Sequence, residues 1–191
     1  GKNKNTILLK MLVSVDQQEF ETVLKKLFQI TLVMGDKITE ALKTNAPSLL
    51  EEVKLDEKDN NRYSDLGVRI LYKNKYKYPE NGFALYSLLR ELEQVGDTYK
   101  RLAVAFSDAK AKQLQNIYVK IHGFFRMYYE LYYSYDEQKA QRFFQLKNEL
   151  SEECKTRLVA GTKEEAVVLF HLASLVQEIF DLKGVLFLQR I

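Results

Sequence analysis

Apolar residues recur every three or four positions along most of this chain, with charged residues between them, and that spacing predicts helices. From Gln17 to Lys43 the apolar face consists of Phe20, Leu24, Leu27, Phe28, Thr31, Ile38 and Ala41. Asp16 is placed as an N-cap with Glu19 three residues on, and Asn45 with Pro47 marks the turn that follows. A second helix is expected from about Ser48 to Lys73, with Leu50, Val53, Leu66 and Ile70 inward, and then the longest loop, Tyr72 to Gly82. The third, about Phe83 to Phe106, carries a stripe of Leu85, Leu88, Leu89, Leu92, Val95, Gly96, Tyr99, Ala103 and Phe106. The fourth, about Ala109 to Tyr133, presents Leu114, Ile117, Tyr118, Ile121, Phe125, Tyr128 and Tyr132. A fifth starts after "SYDEQ" and ends near Leu158; a sixth begins near Thr162, where Glu165 completes a capping-box pattern. The opening segment breaks the pattern. "TILLKMLVSV", Thr6 to Val15, is apolar and β-branched, and reads as a short strand or extended arm whose edges need a partner.

The six helices fall into two sets of three. Aligning the sets brings Asn45 to Asp136, Leu88 to Leu172, Val95 to Ile179 and Asp97 to Asp181. The expected fold is all-α: two pseudo-repeated three-helix bundles, about 17–107 and 108–191, preceded by a strand or arm over 1–16.

Composition narrows the classes. Apolar residues make up 46% and charged residues 29%, a globular balance, and only two Pro and eight Gly punctuate the chain, which suits long helices. A net charge of +3 without a basic block gives no nucleic-acid footprint. No apolar run is long enough to insert in a membrane and no signal peptide is visible, so a cytoplasmic protein is expected. The one cysteine, Cys154, has no metal-like spacing and reads as a reduced thiol. The chain begins Gly-Lys-Asn, which is expected of a trimmed fragment or a tag remnant.

Candidate chemistry centres on "LLRELEQVGDTYKRLA", residues 88–103. Glu93 and Asp97 stand one helical turn apart on the flank of the apolar stripe, while Gly96 falls within it. A glycine there costs about 1 kcal/mol relative to alanine, so a close approach by a neighbouring helix is expected. Two carboxylates at this spacing repel, and a cation between them reverses the sign. The plainer reading is a solvated charged flank beside Lys100 and Arg101.

The stretch "LRELEQVGDTYKRL" resembles the "LERIGDH" helix of the PhoU family of phosphate-uptake regulators, with Leu92, Glu93, Gln94, Val95, Gly96 and Asp97 in order and Gln94 in the arginine place. "EFETVLKKLFQITLVMGDKITEAL", "DNNRYSDLGVRILYKNKY" and "LVQEIFDLKG" resemble segments of its archaeal branch, so the resemblance runs from Gln17 onward. It implies paired three-helix bundles and metal clusters, of iron or zinc, built on one E-x-x-x-D motif per bundle. Glu93 and Asp97 match the first motif; Asp56, Glu57, Asp59 and Asn61 are open choices on the second helix, with Asp56 and Asp59 taken into the candidate metal set. The second motif departs from the family pattern: Gln177 replaces Glu ahead of Asp181, and Glu178 is one position off. In archaeal members an AbrB-like DNA-binding domain often precedes the bundles, which gives Thr6 to Val15 a role as a connecting strand.

His122 and His171 both read as core histidines, and neither belongs to an E-x-x-H pair. In "FFRMYYELYYSY", Phe124, Tyr129 and Tyr133 fall off the core face and suggest a second covered surface. No nucleophile–base set or phosphate cradle is present. Three functions remain in view. The first is a non-catalytic regulatory module docking, by the resemblance, on a phosphate-transporter ATPase or a signalling protein, and itself homo-oligomeric. The second is a metal-carboxylate enzyme using Glu93 and Asp97. The third is the regulatory half of a DNA-binding regulator.

Overall fold

The computed structural model of the chain describes the backbone of residues 2–73, 81–109 and 111–188, and the side chains of residues 18–73, 81–109 and 111–186. Six long helices, α1 (Lys2–Thr44), α2 (Pro47–Lys73), α3 (Gly82–Ala109), α4 (Gln115–Tyr133), α5 (Glu137–Ala160) and α6 (Lys163–Asp181), precede a short α7 (Lys183–Leu188). No strand occurs among the described residues. The helices α1, α2 and α3 pack on one another, as do α4, α5 and α6, and α3 against α6 with α1 against α4 joins the two trios. One apolar core runs through both.

The caps follow from local chemistry. Asn45, at φ 58°, ends α1 in the left-handed region that Asn tolerates, and the Ala46 N–H returns 3.2 Å to the Ala41 carbonyl. Asp136 caps α5 by accepting from the Lys139 N–H, and Thr162 with Glu165 forms the expected capping box on α6. A 3-10 turn, Lys112–Leu114, precedes α4, so that helix begins later than its periodicity suggests. Of the long loop expected from Tyr72 to Gly82, residues 74–80 lie outside the described residues.

Three expectations are corrected. Thr6 to Val15 is helix, continuous with α1, where a strand or extended segment is expected. Its β-branched residues are outnumbered by Leu, Met and Lys, which are good helix formers, and helix satisfies the backbone without a partner strand. Leu66 is 40% exposed; the inward stripe of α2 runs Leu50, Val53, Glu57, Asn60, Ser64, Gly67, Leu71. Phe124 is fully buried, stacked on Phe143 of α5 with centroids 4.3 Å apart, while Tyr129 and Tyr133 pack edge-on to Phe28 of α1.

The paired positions of the repeat share their surroundings. Leu88 and Leu172 are fully buried, as are Val95 and Ile179. The third helix of each trio therefore has the same face inward.

Candidate functional site

The polar stripe of α2 meets the flank of α3 that carries Glu93 and Asp97. Asn60 is fully buried and its amide nitrogen donates to Thr31 Oγ1 of α1 at 2.8 Å. Gly96 makes room for it: a Cβ at that position would lie 2.6 Å from Asn60 Oδ1. The missing side chain in the α3 stripe is thus explained by a buried amide from the neighbouring helix.

Around this contact the acids are paired with resident cations. Arg90 Nη1 lies 2.8 Å from Glu93 Oε2, Arg101 Nη2 lies 3.3 Å from Asp97 Oδ2, and Lys100 Nζ lies 3.1 Å from Glu57 Oε2. The Ser64 hydroxyl shares its proton between the Leu89 carbonyl, 3.1 Å away, and Glu93 Oε2 at 3.4 Å. Burial pushes the Glu93 carboxyl above its ordinary range, with Arg90 opposing and Asp97 and Asp65 adding. Burial likewise raises Asp97, with Arg101 opposing and the neighbouring Glu57 adding.

The α2 acid that reaches this pair is Glu57, one of the open choices. Asp56 and Asp59 lie elsewhere. Lys37 of α1 holds Asp56 at 2.8 Å and Glu52 at 2.9 Å. Asp56 and Asp59 line a groove of about 710 Å³ beside α1, with Lys26, Asp36, Arg62 and Arg126. Glu178 enters the sequence only as a residue one position off the second motif. Thr98 donates to its Oε1 at 3.0 Å, so an acid of α6 faces α3 at the residue after Asp97, and burial raises its carboxyl. The signal for Glu57 was present in the sequence, since it sits between Val53 and Asn60 on the i, i+3, i+4 line. Glu178 had none, because its contact depends on how the trios dock.

An iron or zinc centre of the kind the resemblance implies needs carboxylates free to converge on a cation. Here Glu57, Glu93 and Asp97 each already hold an ammonium or guanidinium. At the second motif, the Gln177 amide nitrogen donates to Asp181 Oδ1 at 2.8 Å, an amide where a carboxylate would be required. Among the described residues no three His, Cys, Asp or Glu side chains form a metal-binding group. The residues present do not fit such a centre.

A second polar cluster sits where α1, α3 and α4 meet. His122 is buried, with Nδ1 2.8 Å from the Tyr99 hydroxyl and Nε2 3.1 Å from Asp36 Oδ1. The ring enters over Gly35, where a Cβ would come within 2.2 Å of it. Burial lowers the His122 pKa against the pull of Asp36, which keeps the ring neutral near pH 7. Burial works to raise Asp36, yet Arg126 and His122 together hold it below the usual carboxylate range. This is the satisfied core histidine that the sequence suggests. His171 is not: it is half-buried and lines a groove between α3 and α6. Cys154 is buried and its thiol is pushed up to about 11, which leaves it unreactive at neutral pH.

Comparison of the chain with protein-family models, with curated proteins and with solved structures gave no match. No helix among the described residues is long and apolar enough to cross a membrane.

Proposed function

We propose that the chain is a non-catalytic regulatory module that works by docking helical faces on other proteins. By the PhoU-like resemblance, those partners are a phosphate-transporter ATPase or a signalling protein. The observation that carries this reading is the repeated trio. Two consecutive three-helix sets pack side by side, and the "LEQVGD" stretch lies on the third helix of the first set, next to its counterpart helix α6. The chemistry of the acids agrees with it. Lys100 to Glu57 and Arg90 to Asp65 tie α3 to α2, while Arg90 and Arg101 hold Glu93 and Asp97 within α3.

The test is affinity purification of the tagged chain from its native cell after crosslinking, with elemental analysis of the same preparation. An ATPase subunit of a phosphate transporter, or a signalling protein acting on one, is the expected partner, with metal well below one ion per chain. Stoichiometric iron or zinc that is lost in Glu93→Ala, together with measurable turnover, would replace the reading with a metal-carboxylate enzyme.

A further inference from the structure

The helices of the second trio are unequally held. α4 buries nine of its 19 residues and α6 six of its 19, whereas α5 buries only Ala140, Phe143, Leu150 and Cys154 of its 24. Nothing in α5 beyond Cys154 is buried, and Val159 in its last turn is 90% exposed. α5 packs on α4 and α6, while α4 also packs on α1 and α6 on α3. It can therefore leave its trio without breaking either junction between the trios.

Polar ties do not make up the difference. α2 also has a polar inward stripe, but there Asn60 donates to Thr31, Ser64 donates to the Leu89 carbonyl, and Lys37 and Lys100 hold Asp56 and Glu57. Among the described residues the ion pairs from α5 to its neighbours are Lys120 to Glu153 at 2.9 Å and Lys139 to Glu130 at 2.8 Å. One partner in each is more than half exposed, where such a pair contributes little. Arg142 with Glu149, Lys155 with Glu152 and Arg157 with Glu153 lie within α5 and do not fix its place. The aromatic attachment concentrates on Phe143. Its ring stacks on Phe124 of α4 with centroids 4.3 Å apart, and lies 6.1 Å from both Tyr128 of α4 and Phe180 of α6. Lys147 adds an ammonium 5.3 Å from the Phe180 ring. A segment with few buried contacts and solvent-exposed ties opens at a lower free energy than the whole molecule.

We infer that α5 opens locally while α4 and α6 stay in place, and that the opening uncovers the aromatic face of Phe124, Tyr128 and Phe180 on which Phe143 lies. The links to α4 and α6, residues 134–136 and 161–162, are too short for an intact helix to swing clear of both neighbours, so leaving means unwinding. The open segment stays tethered at both ends, as a strap that can close again. The inference uses the packing of α5 alone and stands whether or not the regulatory reading does.

Cys154 is the reporter. Its thiol is buried and burial raises its pKa, so an aromatic disulfide reagent labels it through the open state. Labelling of the native chain, followed across a urea series below the unfolding midpoint, should run at least tenfold faster than global unfolding allows. Its dependence on urea should be a small fraction of the global slope, because little surface is exposed in the opening. Hydrogen exchange should likewise show residues 137–160 at least tenfold less protected than 115–133 and 163–181. Phe143→Leu should speed labelling about tenfold or more. Val53→Ala, a core change in α2 far from α5, should lower the urea midpoint and leave labelling in native buffer unchanged, since the closed and open states lose the same contact. Labelling that carries the full global slope overturns the inference. So does a labelling rate that rises with the loss of stability in Val53→Ala, or an α5 as protected as α4.

Discussion

Gly96 and Asn60 show how much one missing methyl group decides. Thr31 holds the nitrogen of the buried Asn60 amide, and a Cβ at position 96 would lie 2.6 Å from its oxygen and 2.9 Å from that nitrogen. Gly96→Ala gains about 1 kcal/mol of helix propensity and loses more to overpacking, for a net loss of about 1–2 kcal/mol in urea unfolding. Pairing it with Asn60→Ser should recover part of that loss, and simple additivity of the two changes would count against the contact. Glu91 makes a different point. Burial, aided by Asp181 and opposed by Lys183, pushes its carboxyl up to about 7. With the folded pKa above the unfolded value, the favourable protonated state is fully present below about pH 4.5, and its contribution is lost as pH rises toward 7. Glu91→Gln should therefore melt with the native chain at pH 4.5 and above it at pH 7.5, by about 1 kcal/mol after discounting for its half-exposed position. His122 has the opposite sign: its folded pKa is lowered, so its contribution is whole above about 6.5 and falls as the solution is acidified. The Glu91 comparison must therefore be made between variants at each pH, not along one curve. At this scale the sequence announced Gly96 as a close approach but not the residue that approaches, because Asn60 lies on a stripe whose polar members look solvent-facing until α1 and α3 are in place.

At the scale of the element, most of the helices were legible because their signals are local. The Thr162–Glu165 reciprocal cap is written in four consecutive residues and forms as read. Thr162→Ala should cost about 1 kcal/mol of stability, and a variant with an unchanged unfolding midpoint would mean that α6 is held by packing alone. The Asn45 turn is equally local. Thr6 to Val15 was misread for the converse reason: β-branching is a weak preference, and the uninterrupted backbone of α1 outweighs it. In α2, Leu66 drew the inward face toward itself, although Val53, Glu57, Asn60, Ser64 and Gly67 keep the helical register that is buried. A polar middle between apolar ends was the part of the pattern that hydrophobicity alone could not rank. The acids divide along the same line. Glu93 and Asp97 are neighbours by helical geometry, whereas the choice among Asp56, Glu57 and Asp59 turns on a rotation of α2 that only its packing fixes.

Across the whole molecule, three tyrosines of the predicted inward stripes join one helix to another. Tyr99, Tyr118 and Tyr128 are fully buried. Tyr118 of α4 donates to the Gly35 carbonyl of α1 at 2.8 Å, and Tyr128 donates to the Leu182 carbonyl at 2.9 Å. They cross helix junctions with a ring for packing and a hydroxyl for a polar partner on the next element, which a periodicity reading cannot foresee. The His122 junction carries a further consequence. A carboxylate on Nε2 and a phenol on Nδ1 commit the imidazole to one tautomer, with the Tyr99 proton pointing inward and the ring proton pointing out to Asp36. Swapping the ends of that ring requires both bonds to break while α1 and α4 stand apart over Gly35. The turnover rate of a single imidazole, followed by nitrogen-15 relaxation, would thus serve as a clock for how often the two halves of this protein breathe.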